Sequence, residues 1–380
     1  MARNGSTRIM LVAGEASGDL HGGHLAESLK ILRPDLELFG IGGVNMRKAG
    51  VSTLVDISTL AVVGIWEVLA HFKEIKGAFD RMRDILMTDP PDLLVLIDYP
   101  DFNLRLAKVA KKAGVPVVYY ISPQVWAWRR GRVKKIAGLV KKMLVVFPFE
   151  KEFYDGANVE CVFVGHPVLD EQSETRDREE LSKAFGIDHA RPVLGLLPGS
   201  RKKEVSFHLP VMVEAYRRLK ASMPGLQAVI PVADTLDMES FEPYIAGIED
   251  VKLVTGDTNG VMALMDCAVV ASGTATLQVG LHNKPMVIMY RLSPLTYRIG
   301  RLLIKVKYIG LVNLVLGGLV VPELIQDEAN PENIGSVVSR TFTDEKYRQE
   351  MIEKLKNIKP KLGGPGASMR AAQEIVRSLG

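Results

Sequence analysis

The stretch Leu93-Leu-Val-Leu-Ile97, followed by Asp98-Tyr-Pro-Asp-Phe-Asn103, decides the fold class of this chain. Five consecutive apolar residues are typical of a strand that is buried on both faces of a parallel sheet. Such strands present their functional groups at the carboxyl end. Because desolvating a carboxylate such as Asp98 is costly unless a partner or a reaction uses it, the sequence predicts an active site at this strand end.

A second apolar run predicts a neighbouring strand with a polar and aromatic end. Val115–Ile121 leads into Ser122-Pro-Gln-Val-Trp-Ala-Trp128. Parallel strands share one carboxyl edge, so we expect Gln124, Trp126 and Trp128 to line a cleft beside Asp98.

Apolar runs alternate with amphipathic segments along most of the chain. This alternation predicts βαβ units, and hence an α/β fold of two doubly wound domains with a cleft between them. The acidic, aperiodic segment Asp170–Glu180 is predicted to be the linker. Further strands are predicted at Arg8–Ala13, Leu36–Ile41, Lys142–Phe147, Glu160–Gly165, Arg191–Leu197, Gln227–Val232, Val251–Thr255, Cys267–Ala271 and Pro285–Tyr290, and helices at His21–Leu32, Asn103–Ala113, Glu204–Ser222 and Ser368–Leu379.

Composition restricts the class of protein. The 380 residues are 47% hydrophobic and 24% charged, which is typical of a globular protein rather than a disordered or fibrous one. Cys161 and Cys267 are the two cysteines, so neither a disulfide framework nor a zinc spacing is indicated. The longest charge-free stretch, Tyr308–Pro322, is too short to span a membrane.

The net charge of +4 is unevenly distributed. The stretches Arg129–Lys142 and Arg291–Lys307 contain basic residues and no acid. They are either solvated helix faces or a surface for an anionic partner such as a phosphorylated substrate or a lipid headgroup. Nucleic acid is disfavoured because no recognised binding motif accompanies the charge.

The first strand runs into Gly14-Glu-Ala-Ser-Gly-Asp19, a turn ahead of a helix. Glu15 or Asp19 could bind sugar hydroxyls, while Ser17 and Gly18 would allow a ligand to approach. The alternative is a capping turn, with Ser17 or Asp19 as the cap. The turn lacks the dinucleotide fingerprint and the P-loop lysine.

Two turns of the second half predict a diphosphate site. In Pro198-Gly-Ser-Arg201, Gly199 lets the backbone approach a phosphate, Ser200 can donate a hydrogen bond and Arg201 offers a bidentate guanidinium. The second turn lies between a buried strand and a helix. Its candidate residues are Ser272, Gly273 and Thr274, with helix capping as the alternative.

For two further candidates a structural role explains the sequence at least as well as a functional one. His166, in Gly165-His-Pro167, could position the donor or protonate a leaving group, or be a structural histidine. Ala61–Phe79 combines large apolar residues with lysines, as in a helix at a membrane interface, but a buried helix explains the same pattern. Near Asp98, Asn103 is a candidate substrate contact, and Asp101 is assigned to capping the following helix or to orienting Asp98.

Together, in this order and over nearly the whole chain, these motifs resemble the lipid-A-disaccharide synthase family, glycosyltransferases of lipopolysaccharide assembly in Gram-negative bacteria. The Ser-Pro-x-x-Trp-Ala-Trp element is specific to it, whereas the glycine turns are not. The matching segments are Gly14–Asp19, Ile97–Asn103, Ser122–Trp128, Phe147–Glu150, Gly165–Pro167, Pro198–Arg201, Ser272–Thr276 and Asn313 with Pro322–Gln326.

This resemblance implies a GT-B fold, with two Rossmann-like domains facing a central cleft. It implies an N-terminal acceptor and membrane-facing domain at 1–168, a UDP-sugar-binding domain at 169–358, and a helix within 359–380 that returns to the first domain. A cytoplasmic enzyme, peripheral on the inner face of the cytoplasmic membrane, is expected. The anionic membrane surface then becomes a plausible partner of the basic stretches, an interfacial Ala61–Phe79 helix is favoured, and a homodimer is possible.

The implied reaction transfers 2,3-diacylglucosamine from its UDP derivative to the 6-hydroxyl of 2,3-diacylglucosamine 1-phosphate, with inversion and without a metal or other cofactor. Asp98 matches the family's base and Arg201 the group that neutralises the departing diphosphate. Asn313, Glu323 and Gln326 match donor-site residues. Gln278 stands where the family commonly has a glutamate, which leaves its role open.

Two alternatives remain at the level of sequence. One is a UDP-N-acetylglucosamine 2-epimerase-like isomerase of the same shape, and the other is a nucleotide-sugar-binding protein without catalytic activity. The isomerase does not need the tryptophan element or an apolar membrane-facing helix, and the binding protein would bind UDP without turnover and tolerate Asp98→Asn.

Overall fold

The computed structural model describes residues 6–60, 72–123, 133–171, 176–233, 236–293, 297 and 307–379. Gln124, Trp126 and Trp128 lie outside the described residues, as does most of the predicted Ala61–Phe79 helix. The chain divides into two compact units: unit 1 is Met1–Asp170 with Leu362–Gly380, and unit 2 is Glu171–Lys361.

Unit 1 is built on a seven-stranded sheet in which every paired strand is parallel. The strand order is β3-β2-β1-β4-β5-β6-β7. The strands are β1 (Arg8–Ala13), β2 (Glu37–Gly42), β3 (Ser52–Asp56), β4 (Leu93–Ile97), β5 (Val117–Tyr120), β6 (Lys142–Val145) and β7 (Glu160–Phe163). The helices before the linker are α1 (Ala16–Leu32), α2 (Val44–Lys48), α3 (Phe72–Thr88), α4 (Pro100–Lys112), α5 (Val133–Ala137) and α6 (Glu150–Tyr154).

Unit 2 repeats this plan with a six-stranded parallel sheet in the order β10-β9-β8-β11-β12-β13. Its strands are β8 (Val193–Leu197), β9 (Gln227–Val232), β10 (Val251–Thr255), β11 (Cys267–Ala271), β12 (Met286–Tyr290) and β13 (Glu323–Ile325). Its helices are α7 (Arg178–Phe185), α8 (Lys202–Ser222), α9 (Glu242–Ile245), α10 (Thr258–Leu264), α11 (Ala275–Leu281), α12 (Leu311–Leu316), α13 (Pro331–Thr343), α14 (Glu345–Leu355) and α15 (Ile358–Lys361).

The central strands of each sheet are buried on both faces, as their uninterrupted apolar runs predict. In unit 1 one core packs side chains of β1 and β4 against α3 and α4, through Met10, Leu94, Met82 and Leu106. In unit 2 the corresponding core packs β8 and β9 against α8, through Leu196, Ile230 and Met212. The predicted α/β class with two doubly wound parallel sheets is confirmed.

The C-terminal segment after Leu362 belongs to unit 1, where helix α16 (Ala367–Arg377) packs on α1. The Asp170 carboxylate accepts hydrogen bonds from the backbone N–H groups of Gly366 (2.6 Å) and Ser368 (2.9 Å), which begin this helix. Because a carboxylate at a helix N-terminus satisfies otherwise unpaired donors, Asp170 fixes the start of α16.

Two lysines of the basic stretch Arg129–Lys142 are committed to this segment. The Lys142 ammonium is buried and pairs with Glu374 (2.7 Å) and Glu160 (2.9 Å), and Lys141 donates to the Ser378 carbonyl (3.0 Å). The buried, paired Lys142 is therefore not available to an anionic partner, and both lysines help to anchor α16.

The predicted strands match the observed bounds or differ by one or two residues at an end. The edge strands β3 and β13 were not predicted, because β3 is only partly buried and β13 has three residues. Helix α1 begins at Ala16 rather than His21, and α7 begins inside the predicted linker. Across the described ranges we find no helix whose length and apolar character would suffice to cross a membrane.

Candidate active site

The strand orders place the predicted turns at one point in each sheet. In unit 1 the chain reverses its direction of winding between β1 and β4, which are followed by Gly14 and Asp98. In unit 2 the reversal lies between β8 and β11, which end at the turns Pro198–Arg201 and Ser272–Thr274. Ligands of open α/β sheets bind at such reversals, outside the carboxyl ends of the strands.

The Asp98 turn has an unusual backbone. Asp98 (φ +47°) and Tyr99 (φ +46°) both adopt the left-handed conformation, which costs about 1–3 kcal/mol at a residue other than glycine. Two adjacent residues of this kind persist only where their surroundings hold them. The strain therefore marks the strand end that the sequence singles out.

Buried polar side chains hold the Asp98 carbonyl. It accepts hydrogen bonds from the Tyr119 hydroxyl (2.5 Å) and from Nδ2 of Asn103 (2.7 Å), and Nδ2 of Asn103 also contacts the Ile97 carbonyl (3.2 Å). Tyr119 and Asn103 are fully buried. Burial, together with the nearby Asp98 carboxylate, raises the pKa of Tyr119 well above its usual value, so its hydroxyl remains a donor.

Tyr99 closes the turn against β1. Its hydroxyl donates to the Leu60 carbonyl (2.9 Å), and its ring covers Gly14 so closely that a Cβ there would lie 2.2 Å from the ring. Gly14 is thus required by this close approach. Asp98 is half-buried, and the register that pairs Ala13 with Ile97 places its turn beside the Gly14–Glu15 segment that follows the neighbouring strand.

The side chain of Asn103, a predicted substrate contact, bonds to the backbone of this turn, so its observed role is positional. Asp101 is exposed in the first turn of α4, whose cap residue is Tyr99. Asp101 therefore does not hold the cap position itself, and its support of the Asp98 turn stays a prediction.

The Gly14–Asp19 segment is helical from Ala16, after Glu15 in the cap position without a side-chain cap. The Asp19 carboxylate is buried and accepts from the backbone N–H groups of Gly43 (2.5 Å), Asn45 (2.9 Å) and Met46 (3.1 Å). The alternative in which Ser17 or Asp19 caps α1 is wrong, because α1 has no side-chain cap and Asp19 caps α2. Glu15 is half-buried and Ser17 exposed, while Gly18 is buried in the first turn of α1.

His166 is buried in unit 1. Its Nδ1 accepts from the Val168 N–H (3.1 Å), and its own backbone N–H donates to the Leu362 carbonyl (2.9 Å). Burial, and to a lesser degree the nearby His21, lowers the pKa of His166 to about 3. The neutral imidazole thus caps the turn Pro167–Leu169, and the backbone of His166 joins this part of the chain to the C-terminal segment. Both contacts are structural.

In unit 2 the Pro198–Arg201 turn is organised by Glu204, in the first turn of α8. One carboxylate oxygen accepts from the Ser200 N–H (3.0 Å) and the other pairs with the Arg201 guanidinium (2.9 Å). Gly199 has φ +113°, and a Cβ there would lie 2.3 Å from the same carboxylate. Arg201 is 45% exposed, so its cation faces solvent as a phosphate-binding group requires.

His208 forms hydrogen bonds to this turn and to a second loop. Its Nδ1 lies 2.8 Å from the Pro198 carbonyl, and its Nε2 accepts from the Arg291 N–H (3.2 Å). These bonds define the tautomer with the proton on Nδ1, and burial lowers the pKa of the ring. His208 therefore ties the loop after β8 to the loop after β12.

Like His208, two side chains of the predicted donor site form hydrogen bonds to the backbone of neighbouring loops. Glu323 accepts from the N–H groups of Ile309 (2.8 Å) and Gly310 (2.9 Å) and from Nδ2 of Asn313 (2.8 Å). Gln326 makes paired bonds to the backbone of Leu292 (2.6 and 3.1 Å). Their observed contacts position the loops at this strand edge.

The Ser272–Thr274 turn leads into α11. The Ser272 hydroxyl donates to the Ile309 carbonyl (2.9 Å), Gly273 has φ +158°, and Thr274 is exposed. Neither Ser272 nor Thr274 supplies a side-chain cap to α11, so the capping alternative is wrong for these two residues. One turn further, the Gln278 amide donates to the Glu171 carboxylate (3.4 Å).

Sequence reasoning missed Tyr119, Glu204, His208 and Glu171. Only Glu204 had a local signal, because it lies three residues after the helix cap, where a carboxylate reaches back to the preceding backbone. Within the described parts of the chain, no group of three or more His, Cys, Asp or Glu side chains could hold a metal ion.

Solved structures with this fold include a UDP-GlcNAc 2-epimerase from Neisseria meningitidis bound to UDP-GlcNAc, with a TM-score of 0.68, 12% identity, and coverage of 98% of this chain and 100% of that one. The calicheamicin glycosyltransferase CalG4 gives a TM-score of 0.62 at 16% identity, with 99% of both chains covered. At these identities the similarity establishes the GT-B fold alone.

Sequence relatives are much closer. A lipid-A-disaccharide synthase of Geobacter metallireducens is 50% identical over 375 residues, covering 98% of this chain and 97% of that protein. One from Coxiella burnetii is 42% identical over 367 residues, covering 97% of each. The family model described as lipid-A-disaccharide synthetase matches residues 9–373. This chain belongs to the lipid-A-disaccharide synthetase family.

Proposed function

We propose that this protein transfers 2,3-diacylglucosamine from UDP-2,3-diacylglucosamine to the 6-hydroxyl of 2,3-diacylglucosamine 1-phosphate. The products are the β-1,6-linked disaccharide 1-phosphate and UDP. Membership of the family carries this proposal, and the held Asp98 turn supports the assignment of the reactive groups. Solved UDP-N-acetylglucosamine 2-epimerases resemble this chain at 12–14% identity, which concerns the fold only and does not favour the isomerase alternative.

Asp98 is the proposed general base. Its carboxylate takes the proton of the 6-hydroxyl while that oxygen attacks the anomeric carbon of the donor. The bond from this carbon to the diphosphate oxygen breaks with inversion, and UDP leaves with the electron pair. General-base catalysis of this kind contributes about 10²–10⁴-fold to a rate, provided that the base is correctly positioned. The bonds from Tyr119 and Asn103 to the Asp98 carbonyl support that condition.

Arg201 is the proposed partner of the departing diphosphate, with the backbone of Gly199 and Ser200. A guanidinium matches two phosphate oxygens, and charge placed where charge develops stabilises a transition state. Glu15, Ser17 and Gly18 remain candidates for the acceptor side, and Ser272, Gly273, Thr274 and Gln278 for the donor side.

We further propose the sequence-based division of labour, with the acceptor in unit 1 and the UDP-sugar in unit 2. Because the substrates are acylated, the protein makes peripheral contact with the anionic inner face of the cytoplasmic membrane. The exposed Lys134 and Lys135 of the basic stretch contribute positive charge to this contact.

The test compares the Asp98→Asn variant with the unchanged protein. Both are incubated with UDP-2,3-diacylglucosamine and the monosaccharide 1-phosphate, and the lipid products are analysed by mass. We expect the unchanged protein to form the disaccharide, and the variant to be slower by about 10²–10⁴-fold with its UDP affinity retained. Absence of disaccharide from the unchanged protein, when it binds UDP, would overturn the function. Full activity of the variant would overturn the role of Asp98 alone.

A further inference from the structure

A carboxylate and an amide are held side by side in unit 2. Oε2 of Glu171 lies 3.4 Å from Nε2 of Gln278, and both side chains are half-buried. A carboxylate can only accept hydrogen bonds, so the nitrogen of the amide must face it. The amide oxygen of Gln278 is thereby turned away from Glu171.

Neighbouring contacts fix the backbone that carries Glu171. The Glu171 carbonyl accepts from Nδ2 of Asn259 (2.9 Å), in the first turn of α10. Arg176, at the other side of the short connection, pairs with Asp257, the residue that caps α10 through the Gly260 N–H (2.8 Å). Glu171 is therefore attached to unit 2 and does not extend as a loose linker.

The position of the pair identifies which part of a ligand it would meet. Gln278 lies in α11, one turn after the Ser272–Thr274 turn, at the point where the winding of the second sheet reverses. A carboxylate repels a diphosphate, whereas the Arg201 cation attracts one. The pair therefore suits an uncharged, hydroxyl-bearing part of a nucleotide sugar.

The chemistry of the proposed donor narrows this to one group. In UDP-2,3-diacylglucosamine positions 2 and 3 of the hexose carry acyl groups and its free hydroxyls, at positions 4 and 6, are not adjacent, so the hexose has no free vicinal diol. The ribose keeps its 2′- and 3′-hydroxyls. A carboxylate has two acceptor oxygens on one carbon, which can receive two adjacent hydroxyl protons.

We propose that Glu171 binds the ribose diol of the UDP-sugar and that Gln278 orients its carboxylate and supplies a further acceptor. The proposal rests on the proposed function, and it makes Glu171 a specificity-determining residue for ribonucleotides. Gln278, which cannot carry a charge, would then act together with a carboxylate supplied from outside its helix.

The first experiment measures the dissociation constants of UDP and of 2′,3′-dideoxy-UDP by calorimetry, for the unchanged protein and for Glu171→Gln. A charge-assisted hydrogen bond is worth more than a neutral one, so we expect Glu171→Gln to weaken UDP by about tenfold. The binding of dideoxy-UDP should stay within about twofold. Glu180→Gln, an exposed carboxylate on α7, is the matched control and should change neither constant.

A second experiment exchanges the two groups. In the Glu171→Gln/Gln278→Glu variant the pair again holds one carboxylate and one amide. We expect it to recover most of the UDP affinity that Glu171→Gln loses. A double variant no better than Glu171→Gln would overturn the two residues as one diol-binding pair.

The outcomes separate this inference from the proposed function. If the unchanged protein binds UDP and makes the disaccharide, but Glu171→Gln weakens both nucleotides equally or neither, the ribose assignment is wrong and the function stands. If the unchanged protein binds no UDP, the proposed function fails and this inference fails with it. Thermal unfolding of each variant confirms that the binding measurements refer to folded protein.

Discussion

The two turns that carry the candidate reactive groups are held in opposite ways. In unit 1 the Asp98 turn is strained, and neutral, fully buried groups hold its backbone: the Tyr119 hydroxyl and the Asn103 amide. In unit 2 the Pro198–Arg201 turn uses Gly199 for its left-handed residue. Its charged side chain, Arg201, is exposed and paired with Glu204.

This difference agrees with what each proposed role requires. A general base must lie within hydrogen-bond reach of one proton, so a displacement of about 1 Å costs about 10²-fold in rate. A cation that receives a diphosphate must be accessible, and it can exchange one anionic partner for another. The turn of the proposed base is thus held by buried hydrogen bonds. The turn proposed to bind the nucleotide instead presents a cation that can exchange Glu204 for a phosphate.

The largest expected effect comes from breaking the close approach in unit 1. In Gly14→Ala the new Cβ would lie 2.2 Å from the Tyr99 ring, which must then move and take the Asp98 turn with it. We expect a loss of about 1–3 kcal/mol in the free energy of unfolding and a loss of about 10²-fold in kcat. Denaturant titration and the disaccharide assay measure these two quantities.

Gly335→Ala is the control for that variant, because Gly335 lies within helix α13 and belongs to neither candidate turn. A Cβ at Gly335 would lie 4.0 Å from Cγ of Leu219, an ordinary contact, and alanine gains about 0.5–1 kcal/mol over glycine inside a helix. We expect unchanged or higher stability and unchanged kcat. If Gly14→Ala behaved like Gly335→Ala, the Asp98 turn would not depend on Tyr99 as described.

A smaller effect is expected from Tyr119→Phe, which removes one of the two bonds to the Asp98 carbonyl. We expect a loss of about 1 kcal/mol in stability and about tenfold in kcat, with the KM of both substrates unchanged. Tyr216→Phe in unit 2 is the comparison, because its buried hydroxyl also bonds to backbone carbonyls, at Leu226 and Glu249. Equal losses of kcat in both variants would mean that Tyr119 acts through stability alone.

The sequence predicted the strands and both turns because buried parallel strands leave long apolar runs and glycine leaves a turn signature. It could not predict Tyr119, which looks like any residue of an apolar strand and acts through a hydroxyl placed 21 residues from Asp98. Asp19 shows the same limit, since a carboxylate near a helix start predicts a cap, but which helix it caps depends on tertiary packing. Contacts between distant segments have no local pattern.

Because unit 1 contains buried neutral groups, we also predict that the folded protein loses stability in acid. His166 has a folded pKa of about 3, against about 6.5 in an unfolded chain, so its neutral form contributes its full stability above pH 6.5. That contribution is lost as the pH falls from 6.5 toward 3, by about 1.4 kcal/mol per pH unit.

His166→Asn tests this, because asparagine can still accept from the Val168 N–H but does not titrate. We measure the free energy of unfolding of both proteins between pH 6.5 and 4.5. We expect the slope against pH to be smaller in the variant, and the two slopes to differ by about 1.4 kcal/mol per pH unit. The exposed His189 provides the control His189→Asn, which should keep the original slope. An unaltered slope in His166→Asn would mean that protonation of this buried ring does not drive acid unfolding.

The smallest effect is expected at the Glu204–Arg201 pair. This pair tests whether Glu204 competes with a diphosphate for the Arg201 cation. Glutamine at position 204 can still accept from the Ser200 N–H, but it no longer competes for the guanidinium of Arg201. Since exposed ion pairs contribute about 0–1 kcal/mol, Glu204→Gln should hardly change stability. UDP should bind about two- to fivefold more tightly, with a gain that shrinks as salt rises.

Glu214→Gln, which removes an exposed partner of Arg218 on the same helix, should leave UDP binding unchanged. Weaker UDP binding in Glu204→Gln would instead mean that Glu204 holds Arg201 in its binding position, and the turn of unit 2 would then resemble that of unit 1 in rigidity.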